Sequence, residues 1–193
     1  MSDIETRLQT FSPDLRPPTF DAADVSYVVD DTAVGRILFA RNDAGALVAS
    51  RYVADDSAVD AVLDRLAHTV SPRVLRIPAA LDEVRRQVDE FLSGGRREFD
   101  LRTDLALATP FQRDVLSTLA DTVGYGERQT YGGLARAIDR PSASRAVGAA
   151  LGGNPLCIVV PCHRVVGSSG ALTGYAGGVA AKEYLLTLEE HAV

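Results

Sequence analysis

Pro161-Cys162-His163-Arg164-Val165-Val166 follows the apolar run Leu156 to Val160 and sets a cysteine beside a histidine at the end of a segment apolar enough to be core. A thiol with its ordinary pKa of about 8.5 is mostly protonated at neutral pH and needs a base or positive surroundings to become a thiolate. His163 is the candidate base. Adjacent residues of an extended chain point to opposite sides, so His163 serves Cys162 only where the chain bends or a water bridges them; Pro161 favours a bend. A histidine acting as base needs a third group to fix its tautomer, and Glu189 or Glu190 near the C-terminus can supply it. On the dipeptide alone, a buried thiol beside a hydrogen-bonded ring is the commoner arrangement, so the surrounding sequence decides.

Outward from this stretch, Thr109-Pro110-Phe111-Gln112 has the form of a helix start, with Thr as cap, Pro at the first helical position and Gln completing a capping box. Phe111, Val115 and Leu119 then fall on one face, and Tyr125-Gly126-Glu127 ends the unit. Leu134, Ala135 and Ile138 mark a short helix stopped by Pro141, and Ser144 to Leu151 a third. Two short helices around a tight polar turn read as a helix-turn-helix or as a generic helical hairpin.

In the N-terminal half, Tyr27 to Val29, Gly35 to Ala40 and Ala46 to Val53 read as strands. Asp30-Asp31 and Asn42-Asp43-Ala44-Gly45 are the turn signals between them. Val59, Val62, Leu63 and Leu66 have helical spacing, as do Val84, Val88, Phe91 and Leu92, with Ser93-Gly94-Gly95 closing the second helix. The expectation is a small antiparallel sheet with two helices and no chemistry of its own, then a linker between Gly94 and Ala108. The fold class is therefore α+β. Residues 1–23 are expected to be a loose leader, 24–100 an α/β domain and 101–193 a mostly helical domain that carries the Cys-His pair.

The 193 residues carry a net charge of −6, unevenly spread: residues 1–109 hold 13 basic and 19 acidic side chains, residues 110–193 seven of each. Between 125 and 166 five arginines face only Glu127 and Asp139, a modest positive patch whose affinity for phosphate would be weak and salt-dependent. No apolar run is long enough to cross a bilayer, and no signal-peptide pattern opens the chain, so a soluble cytoplasmic protein with no membrane partner is expected. Cys157 and Cys162, with three histidines in the chain, form no recognisable zinc pattern. Neither metal nor cofactor is expected.

From Phe111 to Glu189 the sequence resembles the O6-alkylguanine-DNA alkyltransferases. The resemblance runs in order through Gly126-Glu127, Thr130-Tyr131-Gly132, Arg145-Ala146-Val147-Gly148, Asn154-Pro155 and the Pro161 to Val166 stretch. It continues through Ser168-Ser169-Gly170, Gly174-Tyr175-Ala176-Gly177-Gly178, Lys182-Glu183 and Leu185-Leu186 to Glu189. It implies a small N-terminal α/β domain followed by a winged-helix-like domain with a helix-turn-helix. It also implies repair by transfer of the alkyl group of O6-alkylguanine, with O4-alkylthymine as a second candidate substrate, to Cys162, once per protein molecule.

By that resemblance His163 takes the Cys162 proton through a water, Glu189 steadies the ring, Asn154 braces the turn around the cysteine, and Tyr131 donates to the guanine ring. The carbonyls of Cys162 and Val165 would accept from the guanine amine, the N–H of Ala176 would donate to O6, and Leu172 and Tyr175 would wall the pocket. Some relatives carry serine where Ala176 stands, which leaves only the main-chain donor here. Thr130, Arg145, Ala146, Gly148, Ala149 and Leu151 would meet double-stranded DNA in the minor groove, with Arg145 filling the space of the rotated nucleotide. Few base-reading side chains lie among them, so little sequence preference is expected of a monomer. Lys182, the single lysine, falls at a family position that a surface charge explains equally well; Arg164 and Cys157 read as structural. The alternatives are a protein that recognises alkylated DNA without transfer, a sequence-specific regulator, and a cysteine hydrolase.

Overall fold

A computed structural model describes residues 23–191, so the leader expected over residues 1–23 lies, but for its last residue, outside the described residues. Strands β1 (Val25–Thr32) and β2 (Gly35–Asn42) form an antiparallel hairpin whose last pair is Thr32↔Gly35. Gly35 has φ +118, a backbone region nearly closed to other residues, which lets the chain reverse in two residues. Asp30 and Asp31, expected in the turn, therefore lie inside β1, and Asp30 is held there by Arg85 at 2.5 Å. Strand β3 (Leu47–Tyr52) pairs antiparallel with β2, and β4 (Val74–Arg76) adds to β1 in parallel, giving the order β3-β2-β1-β4. The sheet is thus mixed rather than purely antiparallel; three residues are too few for β4 to show an alternating pattern.

Helix α1 (Asp56–Thr69) is capped by Asp55, whose carboxylate accepts from the N–H of Ala58, and packs Val59, Val62 and Leu66 against Leu38, Ala40 and Val48. The other face of the same sheet carries Val28, Ile37 and Phe39 and joins a second core with helix α2 (Asp82–Leu92) and the C-terminal helices. Strand β2 sends alternate residues to the two cores, which is why four successive side chains of it, Ile37 to Ala40, are buried. Because the second core runs on into the C-terminal half, the two halves share apolar contact rather than meeting across a polar seam.

The segment expected as a linker is irregular from Ser93 to Thr109 but firmly fastened. The buried Gln87 side chain bonds both main-chain groups of Asp100, and Leu47 of β3 bonds Arg102 and Asp104 as a short parallel bridge. Helix α3 (Pro110–Thr122) then starts with the expected capping box between Thr109 and Gln112. After the short strand β5 (Gln129–Thr130), helices α4 (Tyr131–Ala137) and α5 (Ser144–Gly152) make the helix-turn-helix and pack on α3. Helix α4 ends at Ala137, and Asp139 just beyond it has φ +57 and lets Arg140 N–H reach Ala135 O at 2.9 Å, so the stop comes before Pro141 rather than at it. Strand β6 (Val165–Val166) pairs with β5 in parallel, and α6 (Gly178–His191) closes the described chain.

The exposed edge of β3 is covered a second time by the segment before the cysteine. Ser50 N–H donates to Pro155 O at 2.7 Å, Cys157 N–H to Ser50 O at 2.8 Å, and the Ser50 hydroxyl to Cys157 O at 2.8 Å. These contacts satisfy a sheet edge and fix the loop that carries the nucleophile candidate.

Candidate active site

Leu156 to Pro161 is a tight buried loop. Leu156 O accepts from Val160 N–H at 2.7 Å, and Ile158 sits at φ +73, a conformation costly for a β-branched residue and held by its surroundings. Asn154, 1 % exposed, supplies much of that hold: its side-chain oxygen accepts from Leu156 N–H at 2.9 Å and its amide donates to Val160 O at 3.0 Å. The same amide lies 3.1 Å from the Cys162 sulfur. The chain then makes the expected bend, a single 3₁₀ turn over Cys162–Arg164.

Cys162 is 6 % exposed, and its sulfur accepts from the Asn154 amide. Hydrogen bonding from the Cys157 thiol, then from Asn154, and the nearby charge of Lys182 pull its pKa below the ordinary thiol value, although burial pushes the other way. Cys157, beside Cys162 and buried, is raised in turn and stays a thiol, its Sγ donating to Asn154 O at 3.5 Å.

His163 is fully buried, and burial lowers its pKa more than Glu189 raises it, so the ring is neutral near pH 7. Its Nε2 lies 2.9 Å from Glu189 Oε1. With that nitrogen donating to the carboxylate, Nδ1 is the basic atom, and among the described residues it has no hydrogen-bond partner. Burial alone would raise the Glu189 carboxyl, yet hydrogen bonds from His163 and Arg164 and their charges hold it below the usual value. Arg164 grips it through Nε and Nη2 at 3.0–3.1 Å and donates Nη1 to Val123 O at 2.8 Å. Of the two acidic candidates Glu189 is therefore the partner; Glu190 pairs with Arg128 instead.

Lys182 is a departure from the surface-charge reading: it is 0 % exposed and donates to Val165 O at 2.6 Å and Thr173 O at 3.2 Å. Burial lowers its pKa. Val165 O, expected to accept from a bound guanine, is thus already engaged by an ammonium, though a carbonyl has a second lone pair to offer.

Cys162 opens onto a cleft of about 630 Å³, which Tyr131, Arg145, Gly148, Leu151, Tyr175 and Ala176 line as well. Gly148 leaves room for the Tyr131 ring, which an added methyl there would touch at 3.7 Å, and Tyr131 OH donates to Thr173 O at 3.2 Å. Arg145, Ala146 and Ala149 form the open face of α5, while Val147, Ala150 and Leu151 turn inward. Val165, Leu172, Thr130, Ala146 and Ala149 are not among the cleft's lining residues: Val165 is buried, Leu172 half-buried, and the Thr130 hydroxyl caps α4 by accepting from Gly133 N–H at 2.9 Å.

Sequence reasoning assigned no chemistry to the N-terminal half, and there it missed three consecutive residues of β3. Ser50 holds the cysteine loop, Arg51 donates to Gly153 O and Asn154 O at the end of α5, and Tyr52 OH meets Tyr175 OH at 3.4 Å. Nothing local marks them, because their role comes from an edge pairing across more than a hundred residues.

Residues 110–191 match the family model described as the DNA binding domain of 6-O-methylguanine DNA methyltransferase. A methylated-DNA–protein-cysteine methyltransferase of Mycolicibacterium paratuberculosis is 48 % identical over 112 residues, 58 % of this chain and 67 % of the relative. The crystal structure of Mycobacterium tuberculosis O6-methylguanine methyltransferase superposes with a TM-score of 0.73 at 35 % identity, covering 88 % of this chain and 94 % of that one. A structure of Mycobacterium tuberculosis OGT in complex with DNA gives a TM-score of 0.73 at 35 % identity, with 86 % and 94 % covered.

Proposed function

The chain belongs to the O6-methylguanine-DNA methyltransferase family, and on that premise we infer that it repairs DNA by moving an alkyl group from O6 of guanine to Cys162, once per molecule. The observation that carries the reading is the placing of a buried cysteine, hydrogen-bonded by Asn154, on a cleft bordered by the open face of α5, with a neutral histidine and an ionised glutamate behind it.

The target atom is inside a duplex, so the nucleotide rotates out into the cleft and Arg145, exposed at the start of α5, fills the gap from the minor groove. The small residues Ala146, Gly148 and Ala149 let the helix approach the sugar-phosphate backbone. Base-reading side chains are few, so binding follows the lesion rather than the sequence.

His163 Nδ1 accepts the Cys162 proton through a water, and Glu189 stabilises the imidazolium that forms. The sulfur attacks the alkyl carbon in line with its bond to O6; the S–C bond forms, the C–O bond breaks, and its electron pair passes to the guanine. Tyr131 OH, released from Thr173, donates to the ring as that charge develops, and the main-chain N–H of Ala176 donates to O6. O4-alkylthymine offers the sulfur the same kind of alkyl–oxygen carbon on a smaller ring. The product is a thioether with no leaving group that water can displace, so the protein acts once.

Titration of a duplex containing O6-methylguanine with the protein tests this. One lesion should be repaired per protein molecule and none by Cys162→Ser. Repair beyond one equivalent, or by the serine variant, would rule out the single-use transfer to Cys162.

A further inference from the structure

The side of the cleft formed by Tyr175 and Ala176 rests on a residue of the N-terminal sheet. Tyr52 ends β3 immediately after Ser50 and Arg51, the two residues bonded to the 153–157 segment. Its hydroxyl lies 3.4 Å from that of Tyr175, and the two rings meet edge to face, 5.4 Å apart at 71°. Tyr175 meets the His163 ring on another side, 6.4 Å away at 81°. A methyl group added at Gly177 would stand 2.6 Å from the Tyr52 ring, so the main chain there lies against the ring at a distance that only glycine allows.

Beyond this wall is a second cavity of about 370 Å³, lined by Val34, Tyr52, Val53, Ala58, Ala176 and Gly177 among others. Ala176 borders both cavities. The stretch from Ala171 to Gly177 that includes this wall forms neither strand nor helix. Thr173 in it is tied to Lys182 and Tyr131, while Tyr175 to Gly177 rest on the Tyr52 ring, on a strand that is pinned on both sides.

We propose that Tyr52 is a specificity-determining residue: it props the wall formed by Tyr175 to Gly177 and so limits the size of the alkyl group that reaches Cys162. The proposal rests on the alkyl-transfer reading above and leaves its bond changes as they are. With the ring removed, the wall withdraws toward the second cavity and the cleft admits an aryl-sized substituent. The ring, not the hydroxyl, does the propping, since a hydroxyl contact at 3.4 Å is a weak one.

The test is single-turnover transfer from duplexes carrying O6-methylguanine or O6-benzylguanine, measured for the wild-type protein, Tyr52→Ala and Tyr52→Phe. Tyr52→Ala should raise the benzyl-to-methyl rate ratio by about tenfold or more, the scale on which an apolar pocket discriminates by size, and Tyr52→Phe should keep the wild-type ratio. A ratio unchanged in Tyr52→Ala, with both rates reduced alike, would make Tyr52 merely structural and overturn the proposal. So would Tyr52→Phe shifting the ratio as far as alanine does. Absence of methyl transfer by the wild-type protein would instead remove the parent reading and this one with it, so the two failures are told apart by the wild-type control.

Discussion

Lys182 donates its ammonium to Val165 O at 2.6 Å from a position with no solvent exposure. Its second acceptor is another carbonyl, Thr173 O at 3.2 Å, and its charge favours the ionised form of Cys162. Burying an ammonium on carbonyls alone is costly, and the return for it is a fixed wall and a more acidic thiol.

Lys182→Met should therefore raise the pKa of Cys162 and slow transfer at neutral pH by about tenfold. The pH dependence of Cys162 alkylation by iodoacetamide measures the first effect and single-turnover repair the second. An unshifted thiol profile would remove the electrostatic role.

Asn154→Ala should act on both fold and chemistry. It strands Leu156 N–H in the core, leaves Val160 O with Cys162 N–H as its remaining donor, and takes a donor from the Cys162 sulfur. A stranded buried N–H costs about 1–3 kcal/mol, so urea unfolding should show a loss of that order. Repair should slow further than the lost folded fraction explains.

Glu189→Gln should be worse for stability than a lost hydrogen bond. Arg164, 8 % exposed, would keep its buried guanidinium with no counter-charge, and such losses cost about 3–5 kcal/mol. Pairing the change with Arg164→Met should recover part of the stability while transfer stays slow, because no negative charge then stabilises the His163 imidazolium. Recovery of the transfer rate in the double variant would show that Glu189 serves only Arg164.

His163 and Glu189 both hold folded-state pKa values below their ordinary ones, so the unfolded chain binds protons more readily than the native one. Their contribution to stability is complete above the ordinary histidine value of 6.5 and declines as pH falls below it. A second decline follows below the ordinary carboxylate value of 4.5. The repair rate should hold from pH 8 to below 6.5, because the native His163 ring stays neutral past the ordinary histidine value, and drop only when that ring takes up a proton. Denaturant midpoints and single-turnover rates across that range check this; a stability that rises toward pH 5 would contradict it.

The helices and the three longer strands are legible in the sequence because their signals are local: the capping box at Thr109, the helical spacing of Val59 to Leu66, the glycine at position 94. Asp30 and Asp31 mislead because a two-residue turn ending at Gly35 needs no help from them, and β4 is too short to carry a pattern. In the site, Cys162 and His163 stand out as a dipeptide, and Glu189 follows from the resemblance. The placement of Lys182 and Tyr52 is not legible, since a lysine on a helix and a tyrosine at a strand end look the same whether they face water or a buried cleft. Only the edge pairing of β3 with residues 155–157, a long-range contact, brings Tyr52 to Tyr175.

Intact mass with fragment mapping, after the protein is mixed with a duplex containing O6-methylguanine, tests the transfer to Cys162 most directly. One methyl in place of one hydrogen, located on Cys162 and absent from its buried neighbour Cys157, is the result expected. An unchanged mass, a methyl on any other residue, or more than one methyl per chain would contradict it.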